Sequence, residues 1–277
     1  MKVKEARQLA KEKIEGLAQQ LERGHSDTLK AYLAAMAKFP RYSVHNVMLI
    51  LRQFPQARHV CGLTTWNRLG RIVRKGEHGI AILAPCVRRR KRDNAAEGQG
   101  GHPSASDDTD TDETVVGFRG AYVFDVSQTM GSPLPEFPIV AGNPGPYTDR
   151  LKAFIAEKGI TLEYSRRIAP ALGACIGSTI VLLPDLPPAE QLSTLAHEVG
   201  HHLLHCCAGH EPLPKTVRET EAEAVAHVVC AAIGLETNTA SSDYIQLYQG
   251  TAATLAASLD RIQHAASQII AAIGPDV

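Results

Sequence analysis

Apolar positions recur along the first part of the chain at helical spacing. Leu9, Ala10, Ile14, Leu17, Ala18 and Leu21 fall on one side of a helix, and Gly24 is well placed to end it. DTLKAYLAAMAKF reads as a second helix closed by Pro40. Ser43 then caps a third, SVHNVMLILRQF, ended by Pro55. After TTWNRLGRIVRKG the pattern changes: GIAILAPCV is apolar and β-branched like a strand, and GFRGAYVFDVSQ (117–128) is its expected partner. Near residue 147 the pattern restarts. A helix near 147–158 is followed by strand-like TLEYSRRI and STIVLL, then by helices from about Pro188 to Cys206, Val217 to Ile233 and Thr251 to Ile273.

The expected fold class is α+β with two domains. A helical N-terminal domain with a small β-sheet covers 1–130, and a mostly helical domain with a small sheet covers 147–277. The proline- and glycine-dense stretch 131–146 reads as a linker. Between the first two strands, residues of about 93–114 are rich in Gly, Ser, Asp and Thr and poor in large apolar side chains. Such a stretch cannot offset its ordering entropy, so it reads as a disordered acidic insertion.

The zero net charge conceals an asymmetry: residues 1–92 hold 20 Lys+Arg against 6 Asp+Glu, whereas 93–114 hold 7 acids and no base. A basic front half points to a polyanionic partner. No apolar run is long enough for a membrane helix, and the charged, amphipathic start does not read as a secretion signal. The expected location is the cytoplasm, with no membrane partner. Six cysteines without a C-x-x-C pair read as reduced thiols in or near the core.

The chemistry concentrates in LAHEVGHHLLH. His197 and His201 are one helical turn apart, about 40° around the axis, so both imidazoles leave the same side. Zn2+ accepts such nitrogens and keeps room for a third protein ligand and a water; Mn2+ is an alternative ion. Glu198, beside them, suits a general base rather than a ligand. Gly200 allows a second helix to approach closely. In TVRETEAEAVAHVVCAAIG, helical position makes Glu219 the best inward-facing third ligand, with Glu223 one turn on to accept from a ligand histidine. Glu221 falls on the opposite flank. The competing role for Glu219 is a capping box with Thr216. His205 suits a helix C-terminus but could also ligate, and His202 faces away toward solvent.

HEVGHHLLH followed by RETEAEAVA resembles the zinc-peptidase module of ImmA/IrrE-like proteins, and more closely that of ArdC-type antirestriction proteins. YSVHNVMLI, TTWNRLGRIVRKGEHGIAI and YVFDVSQT resemble the N-terminal single-stranded-DNA-binding domain of the same ArdC family. The resemblance implies a zincin-like metallopeptidase domain with His197, His201 and Glu219 on the metal and Glu198 catalytic. Tyr244 or Tyr248 would be a transition-state donor. It also implies a role on mobile elements, protecting incoming DNA.

Single-stranded DNA is held by positive charge together with aromatic faces. The candidates are Arg41, Tyr42, Trp66, Arg68, Arg71, Arg74, Lys75, Arg88, Arg89 and Arg90, with Trp66 equally suited to the core. The acidic insertion is expected to fold back on this surface and compete with DNA. The leading expectation is therefore a DNA-binding zinc peptidase whose protein substrate is brought to it on that DNA. Two alternatives stand beside it. One is protection by DNA occupancy, with a structural zinc closed by His205. The other is a regulatory peptidase cleaving a repressor.

Overall fold

The computed structural model describes residues 3–23, 27–89, 113–133, 144–206, 213–235 and 251–274. The architecture is α+β. The N-terminal half opens with three helices, α1 (Val3–Glu22), α2 (Asp27–Lys38) and α3 (Val44–Gln53). Ser43 caps α3 by accepting from the Asn46 amide at 3.4 Å. Short β1 (Val60–Cys61), α4 (Leu63–Arg68) and β2 (Arg71–Val73) lead into β3 (Ile80–Arg89). Its partner β4 (Glu113–Asp125) begins four residues before the expected strand. β5 (Thr129–Gly131) pairs with β2. The first sheet has the order β1–β4–β3, all antiparallel, with a bulge between Cys86 and Val87.

β3 is an edge strand, and α3 covers that edge with two side-chain amides. Asn46 and Gln53 each give and receive a backbone hydrogen bond, at Leu83 and Ala81 respectively, over 2.8–3.0 Å. The groups that a further strand would have paired are thereby satisfied.

The second half comprises α5 (Gly145–Glu157), β6 (Thr161–Tyr164), β7 (Gly173–Ile176), β8 (Thr179–Leu182), α6 (Pro188–His205), α7 (Lys215–Ala232) and α8 (Ala252–Ile273). Its sheet runs β6–β8–β7, with β6 parallel and β7 antiparallel to β8. β7 therefore lies at an edge. α6 packs on this sheet and on α7, and α7 on α8. Gly200 is where α6 and α7 meet: a Cβ there would stand 3.3 Å from Val225 Cβ and 3.4 Å from Ala222 Cα.

The acidic insertion, apart from the backbone of Glu113 and Thr114, lies outside the described residues, as do residues 134–143 of the linker, Arg90, Tyr244 and Tyr248. Among the described cysteines only Cys230 is in the core. Cys175 is half-buried and packs against the core, Cys61 and Cys86 are half-buried and Cys206 is exposed, so the expectation of thiols in or near the core fails for Cys206.

Candidate functional site

α6 and α7 bring three donor side chains to one point. His201 Nε2 lies 3.0 Å from His197 Nε2 and 3.3 Å from Glu219 Oε2, and His197 Nε2 lies 3.6 Å from the same oxygen. A tetrahedral ion with ligands at about 2.0–2.1 Å separates its ligand atoms by about 3.3–3.4 Å, so the three spacings fit a common cation. On its other nitrogen, His197 Nδ1 meets Glu223 Oε2 at 3.2 Å. That contact keeps the proton on Nδ1 and the lone pair on Nε2.

The capping role for Glu219 does not arise. α7 starts at Lys215 after Pro214, Thr216 lies inside the helix, and no side chain caps its end. His205 does not join the three donors. Its Nε2 lies 3.6 Å from Glu221 Oε2, and Glu221 is fully buried and ion-paired to Arg261. The wheel set Glu221 on a polar flank because it assumed a single apolar stripe. α7 is instead surrounded by α2, α6 and α8, and its buried residues include Val217, Ala224, Val225 and Val228.

The charges around the three donors are matched. Burial opposes a proton on His197, but Glu223, Glu198 and Glu219 outweigh it and raise its pKa. Burial and the neighbouring His197 and His205 rings push His201 down to about 4. Burial lifts Glu198 to about 7, with His197 opposing and Glu219 adding.

These groups line a cleft of about 840 Å³ with Gly173, Ala174 and Cys175 of β7 along one wall and Arg218 and Glu219 along another. Glu198 lies hard against β7. A Cβ on Gly173 would stand 2.6 Å from Glu198 Oε1 and 2.8 Å from Thr194 Cγ2. No sequence signal marks Gly173.

The candidate DNA-binding residues divide. Trp66 has no exposed surface, and its Nε1 donates to the Phe124 carbonyl at 2.9 Å; it is core and has no face for a base. Tyr42 is half-buried, donates to Val60 O at 2.9 Å and packs edge-on against Phe39. Arg71 spends its guanidinium on Thr129, Gly131 and Ser132, tying β2 to β5. Arg74 is paired with Glu77 at 2.7 Å and donates to Ser127 O. Arg41, Arg68 and Lys75 are exposed. Arg88 and Arg89 end β3, with their side chains outside the described residues. Sequence reasoning passed over Phe118 and Tyr122, 46% and 58% exposed on one face of β4, with the Arg7 guanidinium 5.2 Å from the Phe118 ring centre. Both sat in the segment read as a strand, and neither was named as a DNA contact although Tyr122 opens YVFDVSQT.

Two family models match in series: the N-terminal domain of anti-restriction factor ArdC over residues 7–124, and the IrrE N-terminal-like, M78-peptidase domain over 154–237. The chain is an ArdC-type protein with both domains. Two crystal structures of the antirestriction protein ArdC from the R388 plasmid share its fold. The metal-free form has a TM-score of 0.50 and 17% identity, covering 96% of this chain and 97% of that one. The Mn(II)-bound form has a TM-score of 0.51 and 18% identity, covering 96% and 98%. An uncharacterised Bacillus anthracis protein, pXO2-81, is 26% identical over 243 residues, which are 76% of this chain and 41% of that protein. The segment YVFDVSQT has a packing role. Buried Asp125 accepts from the Arg58, His59 and Ser127 amides, and Gln128 bonds His78 O and the Asp125 amide.

Proposed function

We propose that the chain is a cytoplasmic metallopeptidase of antirestriction type, whose basic half holds single-stranded DNA and brings the cleft to proteins on that DNA. The observation that carries this reading is the convergence of His197, His201 and Glu219 in a cleft that also holds Glu198. The donor set, two imidazoles and one carboxylate with a side open to the cleft, fits a catalytic divalent ion. Zn2+ suits it, and the Mn(II) in R388 ArdC makes Mn2+ the second candidate. Held by these three residues, such an ion would supply Lewis acidity toward water and the scissile carbonyl.

The chain's own groups supply the rest. Glu198, lifted to about 7 by burial, accepts the proton that the attacking water loses and delivers it to the leaving amide nitrogen. Glu223 holds His197 so that Nε2 faces the cation. β7 pairs only with β8 among the described strands, and its other edge lines the cleft, where an extended peptide can add as a strand. On the DNA side, Phe118 and Tyr122 offer rings for base stacking beside the exposed Arg7.

The test compares wild type with Glu198→Gln at equal metal content, acting on DNA-associated proteins with and without single-stranded DNA. Cleavage by wild type alone, stimulated by DNA, is expected. Protection of DNA in cells that survives Glu198→Gln unchanged would sink the peptidase role and leave occupancy.

A further inference from the structure

α6 and the residue that ends it carry a second i, i+4 pair of metal-binding residue types, His202 and Cys206, five residues on from His197 and His201 and thus about 140° further round the helix. This pair faces β7 rather than α7. There Cys175 presents its sulfur 3.7 Å from Cys206 Sγ, and one donor atom from each of Cys175, His202 and Cys206 lies within 4.8 Å of the others. The turn after β7 orients the group: Gly177 O is 3.2 Å from His202 Nδ1 and 4.0 Å from Cys175 Sγ. Sequence reading had sent His202 to solvent and the thiols to the core or its edge.

Two outcomes are open to a thiol pair at this distance. A disulfide needs its sulfurs at about 2.05 Å. Two thiolates on one tetrahedral zinc, each about 2.3 Å from the ion, stand about 3.8 Å apart. The observed separation is not that of a disulfide; it suits shared ligands, and an imidazole lies alongside, which neither a disulfide nor a bare thiol–thiol contact has use for. We propose that Cys175, His202 and Cys206 form a second, thiolate-rich zinc site on the cleft wall, separate from His197, His201 and Glu219. Its donors are soft, so its cation is thiophilic, unlike the ion of the first group. Zinc there staples edge strand β7 to the C-terminal end of α6, fixing the wall against which Glu198 rests.

The test uses Co2+ as a spectroscopic stand-in for zinc, added to the reduced full-length chain under argon. Wild type is expected to take two equivalents and to develop a near-ultraviolet sulfur-to-cobalt charge-transfer band. A His197→Ala/His201→Ala variant should keep the band and one equivalent. A Cys175→Ser/Cys206→Ser variant should lose the band and keep the other equivalent. His202→Gln should shift the band while leaving the first site loaded. Absence of the band in reduced wild type overturns the proposal whether or not any variant folds. So does a band of full intensity in the double cysteine variant, which would place the thiolates elsewhere.

Discussion

Glu223 gives the most direct handle on the metal-binding reading, because it touches His197 without touching the point where the donors converge. Its Oε2 accepts from His197 Nδ1 at 3.2 Å, and its side chain is 24% exposed. Removing such a carboxylate partner usually costs 10–100-fold in metal affinity, or about 1.4–2.7 kcal/mol. Glu223→Ala should fall in that range. Glu223→Gln keeps an acceptor for Nδ1–H but not the charge; neutral hydrogen bonds are about half as strong, so a loss of roughly 3–10-fold is expected. The pH of the assay matters. Glu223 also raises the His197 pKa, so its removal eases proton competition and masks part of the loss in acid. Raising the pH lessens that competition, so the full difference appears in alkaline solution. Competition against a chromophoric chelator with Zn2+ and with Mn2+ measures it, with thermal melts as a control for folding. An unchanged dissociation constant in Glu223→Ala, or a larger loss in Gln than in Ala, would refute the assignment of Glu223 as the group that orients His197.

Three further expectations follow from particular contacts. Gly173→Ala puts a Cβ 2.6 Å from Glu198 Oε1, so the carboxylate must yield by roughly 0.8 Å; hydrolysis should drop about 10–100-fold with metal content unchanged, and unaltered turnover would show that Glu198 is not held where it acts. Tyr122→Ala should weaken single-stranded DNA binding by about 1–3 kcal/mol at constant thermal stability, whereas Trp66→Ala should cost about 3–5 kcal/mol of stability; fluorescence anisotropy and denaturant melts separate the two, and the reverse pattern would contradict the burial of Trp66. Burial, helped by the Arg261 charge and opposed by a backbone hydrogen bond at Arg218, pushes His205 down to about 4, so the unfolded chain takes up a proton there near pH 6.5 and the folded one only near pH 4. Stability of the chelator-treated protein should therefore decline as pH falls from about 6.5 to about 4, and less so in His205→Asn; equal slopes for the two proteins would rule out His205 as the source.

What the sequence showed and what it hid follow from the range of the signals. His197, Glu198 and His201 are fixed by one helix, so spacing alone orients them. Glu219 required a second helix at a known angle, and the wheel of α7 sufficed for it while misplacing Glu221, because α7 is buried on more than one side. The strands β1, β2, β5 and β7 are two to four residues long, too short to show alternation. Missing β7 meant missing Gly173 and Cys175, and with them one wall of the cleft. The arginines of 71 and 74 are basic by composition but committed to backbone and to Glu77, which charge counting cannot see.

The proline- and glycine-rich stretch suggested halves that could be separated, yet one apolar cluster runs through both. It joins Leu33, Met36, Phe39 and Val47 to Val225, Val229, Ile262 and Ala266. α2 packs on α7, and α1 and α3 on α8. Just past the end of α2, Gln263 of α8 donates to Phe39 O at 3.0 Å and Pro40 O at 3.2 Å, tying the turn after the helix to the second half. Interfaces between independent domains are ordinarily more polar than this. Calorimetry of the full chain should accordingly show one transition, with calorimetric and van't Hoff enthalpies equal; two resolved transitions would show that the halves fold alone. The same packing bears on function. Glu219 and Glu223 project from a helix whose other side is covered by α2, so the proposed metal donors are held partly by the basic half. A chain lacking residues 1–133 should lose the metal site along with the DNA.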